Sequence, residues 1–343
     1  MRTRVSVLMC CLALTVGWPA IGAAEVRVVT TLPVYGSIAQ FVGGDRVTVE
    51  AISRGDEDAH FVKPKPSFAL MLKRADLFVT TGLDLELWAP TLVNKSGNRS
   101  IRSGEPGYVS ASSGVVMLDI PESASREGGD VHIFGNPHIH SSPINAKTIA
   151  ANIAAGLERV DPEGAGDFRA NLQEFTRRID AGLYGETLVE LLGSETLDQL
   201  ARQGKLIEFL ESRDYEGEKL IERLGGWLAK AASFRDEKLV AYHKNWIYLT
   251  DLLGLDVVGY VERKPGIPPS AKHVFELLGK IEEQEVKVLL GANYFSRSQI
   301  ENIAERAGCR AVIVALSPME VTSEGYFELI DRWIDDLKAA FGS

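Results

Sequence analysis

Two stretches of this chain alternate short β-prone runs with helix-period segments, and an almost unbroken helical pattern separates them. The first stretch opens with a strand at Val26 to Thr30, a helix-like segment from Leu32-Pro33 to Gly43-Gly44, and a strand at Val47 to Ile52. Pro66-Ser67 then begins a helix with Ser67 as its N-cap, Leu77 to Thr80 is a strand, and a helix is expected around Leu85 to Trp88. The second stretch carries strands at Lys238 to Tyr242, Asp256 to Val261, Val286 to Leu290 and Val312 to Leu316. Helices fall between them, and Tyr326 to Phe341 is an amphipathic helix. Alternation of this kind specifies an α/β fold with parallel sheets. Between the stretches, Ile149, Ile153, Leu157, Phe168, Leu172, Phe175 and Ile179 keep helical spacing across a break at Asp161-Pro162. That segment reads as a helical backbone joining two domains, and 343 residues suffice for two cores.

A net charge of −10 argues against a nucleic-acid binder, which would show a basic patch or stripe. Arg2 and Arg4, an apolar run from Val5 to Val16 and the small residues Gly22-Ala23-Ala24 form a secretory signal, expected to be cleaved after Ala24. Cys10 and Cys11 leave with it. Only Cys309 then remains, read as a buried small apolar residue, so no internal disulfide can form and metal chemistry must rest on His, Asp and Glu.

Three of the six histidines sit at loop mouths in separate parts of the chain: His60, His138 and His243. Neutral imidazole is the commonest protein ligand for late first-row divalent metals, and ligands gather at the carboxyl ends of parallel strands. Converging from both halves of the chain, these three would make a metal site in an interdomain cleft. His140 lies two residues after His138 and could share its face if that stretch is extended, though a packing role is favoured. His132 reads as a surface histidine, His273 as solvent-facing near a helix start, and Asp56, Glu57 and Asp58 as a solvated acidic loop rather than partners of His60.

Several strings, taken in order and spacing, resemble the periplasmic zinc/manganese-binding receptors of ABC importers (cluster A-I). His60-Phe-Val-Lys-Pro-Lys-Pro-Ser67 is similar to the family's His-x-Tyr-x-Pro-x-Pro-Ser. Gly82-x-x-x-Glu86-x-Trp88, Asn136-Pro137-His138, Tyr242-His243 with Leu253-Gly254-Leu255, and Pro265 to Ser270 follow in the family's order. The resemblance implies two lobes, each a mostly parallel sheet flanked by helices, joined by one long rigid backbone helix. On that plan residues 25–143 form the first lobe, 144–183 the linking helix, 184–232 a helical insertion that packs on a lobe, and 233–343 the second lobe. The resemblance makes His60 and His138 ligands from the first lobe and His243 a ligand from the second. The bound metal would be Zn2+ rather than Mn2+, since histidine at the third position marks zinc receptors. It also departs from the family: Ser317 occupies the place of the expected carboxylate ligand, leaving water, His140, Glu320 or a residue of Asn293-Tyr294 for the fourth position.

The resulting expectation is a monomeric, non-enzymatic periplasmic receptor that captures zinc and delivers it to an inner-membrane ABC permease. Its affinity should fall as pH drops through the ordinary imidazole pKa of about 6.5. The alternative is a secreted zinc hydrolase, because three histidines and a water also describe a catalytic zinc. Against it, there is no His-Glu-x-x-His helix.

Overall fold

The computed structural model describes residues 25–121, 132–262 and 266–342; the expected signal at 1–24 and residues 122–130 of the polar stretch lie outside them. The first lobe runs β1 (Val26–Thr30), α1 (Pro33–Gly43), β2 (Val47–Ala51), α2 (Pro66–Arg74), β3 (Leu77–Thr80), α3 (Ala89–Ser96) and β4 (Tyr108–Ser110). Its strands lie in the order β2-β1-β3-β4, all parallel, with Val26 opposite Val47 and Val28 opposite Leu77. Val28, Val29, Leu77, Phe78 and Val79 are all buried, as central strands covered on both faces require. The carboxyl ends of the strands therefore open together on one edge.

Two expected details differ. Pro66 takes the first helical position of α2, where its missing N–H costs nothing, so Lys65 precedes the helix and Ser67 lies inside it. Residues 85–88 form a turn, and α3 starts at Ala89. That turn lets the buried Glu86 carboxylate accept from Thr31 Oγ1 (2.6 Å), Thr81 Oγ1 (2.7 Å) and Thr81 N–H (3.1 Å).

α4 (Pro143–Val160) packs on the first sheet, and α5 (Ala165–Tyr184) returns along α1 toward the rest of the chain. Then come α6 (Glu186–Leu192), α7 (Ser194–Arg202), α8 (Leu206–Ser212), a small antiparallel hairpin of β5 (Asp214–Tyr215) and β6 (Glu218–Lys219), and α9 (Gly226–Ala231). Leu188, Leu197, Leu206, Leu210 and Leu220 bury this segment against the main core. Lys147 of α4 clasps it as well, pairing with Asp180 of α5 and Asp198 of α7.

The second lobe runs β7 (Lys238–Ala241), α10 (Ile247–Leu253), β8 (Asp256–Tyr260), α11 (Ala271–Glu283), β9 (Val288–Ala292), α12 (Arg297–Ala307), β10 (Arg310–Val314) and α13 (Gly325–Phe341). Its sheet order is β10-β9-β7-β8, again all parallel. Half-buried Cys309 packs at the edge of this lobe's outer cluster. One contiguous core links the inner faces of both sheets, and each outer face has its own smaller cluster. Where α5 meets α13, Phe175 packs against Phe41 and Phe327, and Arg178 lies 4.0 Å over the Phe327 ring while pairing with Glu324. Two lobes are thus built over shared helices.

Ser142 fixes the entry to α4, its Oγ accepting the N–H of Asn145 at 3.4 Å. Ser142→Ala is expected to lower unfolding free energy by about 1 kcal/mol, the usual loss of an N-cap. Urea denaturation would register it as a lower midpoint with an unchanged slope.

Candidate metal centre

His60 stands in a single 3-10 turn, Ala59–Phe61, beyond the carboxyl end of β2. Trp88 Nε1 donates to the Ala59 carbonyl at 2.8 Å and pins that turn. Asp58 Oδ1 accepts from both the backbone N–H (3.0 Å) and Nδ1 (2.7 Å) of His60. Burial works to raise the Asp58 pKa, but the His60 hydrogen bonds and nearby imidazole charge outweigh it and hold the group below its ordinary value. Asp58 is therefore no solvated loop residue; it orients the imidazole, and the expectation of a free acidic loop is corrected for this position. Asp56 fits it better, being exposed and paired with Arg54.

His138 is held by its neighbours and by the other lobe. Asn136 Oδ1 accepts the His138 N–H at 3.0 Å, and Asn136 Nδ2 donates to the Lys244 carbonyl at 2.8 Å. Tyr248 Oη donates to the Asn136 carbonyl at 2.7 Å. The next residues, Ile139–Ser141, form a 3-10 turn rather than an extended strand. The His138 and His140 rings lie 6.2 Å apart, edge to face, and only His138 joins the converging set. His140 is buried edge-on against Tyr35, ring centroids 5.9 Å apart, and burial alone lowers its pKa to about 4.

His243 follows β7 at the carboxyl edge of the second sheet. The chain turns at once through Lys244–Trp246, which puts Asn245 beside the site. Its Nδ2 lies 2.9 Å from Tyr294 Oη and 3.3 Å from His138 Nε2, while its buried Oδ1 has no partner among the described residues.

His60, His138 and His243 converge, each offering one nitrogen, with all three atoms within 4.8 Å of one another. Their ring centroids are 5.3 Å (His60–His138), 5.8 Å (His60–His243) and 5.9 Å (His138–His243) apart. His138 and His243 are 1% and 5% exposed. Burial first, and then the charge of neighbouring imidazoles, pushes His138 well below its ordinary pKa and His243 to about 3. Both rings are therefore neutral, the form that binds a cation. Buried Nδ1 atoms of His138 and His243 have no hydrogen-bond partner among the described residues. Such orphaned buried groups are rare and call for a ligand or water.

Several expectations are corrected here. His132 is not a surface histidine: its Nε2 lies 3.3 Å from His60 Nε2, and its Nδ1 is 2.9 Å from Asp84 Oδ1. Burial raises Asp84, but the hydrogen bond and charge of His132 prevail and lower it. Asp84 follows Gly82, whose φ of +80° and closeness to Ser110 admit no side chain. His273 is half-buried, its Nε2 2.8 Å from the Tyr260 carbonyl. Ser317 Oγ accepts the Val34 N–H at 2.9 Å, so it satisfies an unpaired donor in the first turn of α1 across the lobe junction. Glu320 is exposed, and Tyr294 Oη is engaged by Asn245.

The family described as "Zinc-uptake complex component A periplasmic" matches residues 28–182 and 215–340. The chain belongs to that family. Members are components of a metal-uptake complex, not enzymes, and the hydrolase alternative falls. The iron-binding protein YfeA of Yersinia pestis is 24% identical over 94% of this chain and 89% of its own. The high-affinity zinc uptake system protein ZnuA of Bacillus subtilis is 23% identical, over 92% and 87% respectively. In fold, the chain is similar to FpvC of Pseudomonas aeruginosa, a solute-binding protein solved with Mn2+: TM-score 0.67, 20% identity, 92% of this chain and 98% of that one. The two-lobed α/β architecture is the family's own. Residues 183–214, with α6 to α8, fall outside the family match.

Proposed function

We propose that this protein captures zinc between its lobes through His60, His138 and His243 and delivers it to an ABC permease of the inner membrane. The observation that carries the reading is the convergence of three imidazoles from distant segments, two of them buried and lacking hydrogen-bond partners at Nδ1 among the described residues. Zinc is favoured over manganese because the donors are imidazoles, whereas manganese suits carboxylates. The carboxylates of Asp58 and Asp84 are spent on orienting histidines, and Ser317 caps α1. The Bacillus subtilis relative's name also specifies zinc. The chain works as a monomer in the periplasm, exported by the signal at residues 1–24. No helix among the described residues is long and apolar enough to cross a membrane.

The depressed His138 and His243 refine the expected pH dependence. Rings that are neutral well below pH 6.5 do not compete with zinc for protons near neutrality, so affinity holds to more acidic pH than ordinary imidazoles allow. Metal-free protein dialysed against equal zinc and manganese is expected to take up one zinc per chain and to exclude manganese. Uptake of neither metal, or manganese in preference, defeats the proposal.

A further inference from the structure

We infer that His132, oriented by Asp84, is the fourth ligand to the captured metal, so that the site is closed by imidazole where the family uses a carboxylate. The inference rests on the metal site proposed above. Two histidines on opposite loops are held in the same manner. Asp58 Oδ1 lies 2.7 Å from His60 Nδ1, and Asp84 Oδ1 lies 2.9 Å from His132 Nδ1. A carboxylate accepts, so each Nδ1 carries its ring's hydrogen and each Nε2 is left as a bare lone pair. Each carboxylate also takes a backbone hydrogen bond beside its ring, from His60 and from Ile133.

These two bare Nε2 atoms face one another at 3.3 Å, with the side chains only 4% and 13% exposed. With Nδ1 of each ring given to its carboxylate, two metal-binding rings place no hydrogen between these atoms. Two nitrogens bound to one tetrahedral zinc at about 2.0–2.1 Å stand about 3.3 Å apart. The spacing is that of two ligands of a single ion. An added proton could bridge this pair alone; a divalent cation also uses the lone pairs of His138 and His243, whose rings flank His60. The His132 ring lies 5.4 Å from that of His60 and 6.5 Å from that of His138, at the border of the tighter set formed by His60, His138 and His243.

Charge agrees with this assignment. Imidazole ligands bring no charge of their own to a bound ion, and Asp58 and Asp84 supply two negative charges immediately behind two of them. Carboxylate–histidine–metal arrays of this form fix the ring and raise its basicity. A set of four nitrogens also discriminates against manganese more strongly than three nitrogens and a carboxylate.

X-ray absorption at the zinc edge, on the full chain loaded with one equivalent, counts bound imidazoles directly. Four are expected in the unaltered protein, and three with one oxygen in His132→Ala. Chelator competition should show zinc bound about 10–100-fold more weakly in His132→Ala and in Asp84→Ala, the range for loss of supporting partners. Asp84→Asn, which keeps an acceptor, should recover part of that loss. His132→Gln repeats the test should the alanine variant misfold. Three imidazoles in the unaltered protein, or unchanged affinity in both His132 variants, overturns the inference and leaves the three-histidine site standing. Failure of the unaltered protein to bind zinc, or undiminished binding in His60→Ala, overturns the site itself and this inference with it.

Discussion

Alanine in place of His60 is expected to abolish the rise in melting temperature that zinc confers on the unaltered protein. A ligand bound only to the folded state stabilises it by RT ln(1 + [L]/Kd), about 4 kcal/mol at a thousandfold excess over Kd. With an unfolding entropy of ~2.1 cal/mol/K per residue, that is roughly 6 °C for a chain of this length. His60 is central to the site, its ring 5.3–5.8 Å from those of His132, His138 and His243. Removing it takes away one ligand and separates the others. The substitution also strands the Asp58 carboxylate, which is mostly buried and loses its partner. Melting of the metal-free variant therefore drops as well, and the informative quantity is the difference between loaded and metal-free protein within each variant. His243→Ala is expected to act in the same direction, with less disturbance of the metal-free state because no carboxylate is paired to its Nδ1. An undiminished zinc shift in both variants, with one zinc still bound, would remove these histidines from the site.

The architecture was legible because it rests on local periodicity. Val26 to Thr30 and Leu77 to Thr80 read as buried strands from their own residues, and α13 from its amphipathic spacing. Short elements without such a signal were not legible: β4 has three residues, and the β5–β6 hairpin pairs two with two. At the site, sequence indicated which histidines sit at loop mouths, and the structure brings His60, His138 and His243 together.

What surrounds them was hidden for a physical reason. Asp58 near His60 is as easily a solvated acid as a buried partner until the fold covers it, and Trp88 helps to cover it by fixing the Ala59 carbonyl. The His132–Asp84 pair joins residues 48 positions apart, and His132 meets His60 across 72. No local pattern encodes either contact. Ser317 was noticed for what it is not, a carboxylate; its bond to Val34, 283 positions away, exists only once the lobes meet.

Acid is expected to destabilise the metal-free protein well above the pH at which ordinary carboxylates titrate. His140 has a folded pKa of about 4 and His243 of about 3, with His138 also well below 6.5; burial is the first cause in each. In the unfolded chain all three return to about 6.5. Below that value the unfolded state binds more protons than the folded one, so unfolding free energy falls as pH falls. The contribution is complete above about pH 6.5 and is lost progressively down to the folded values. At about 1.4 kcal/mol per unit per group, His140 and His243 alone cost up to ~4 kcal/mol at pH 5, and His138 acts in the same direction. Glu86, Asp251 and Glu262 oppose them, because burial raises the folded pKa of each. Urea midpoints of the metal-free protein at pH 7, 6 and 5 should therefore decline steeply. His140→Phe tests the effect at a ring that packs edge-on against Tyr35 and 6.2 Å from the His138 ring, and whose Nδ1 has no hydrogen-bond partner among the described residues. That variant keeps a planar ring in the same pocket and removes one proton from the unfolding equilibrium, so its decline with pH should be shallower by about one proton's slope. An unaltered slope would mean that His140 is charged or accessible in the folded protein.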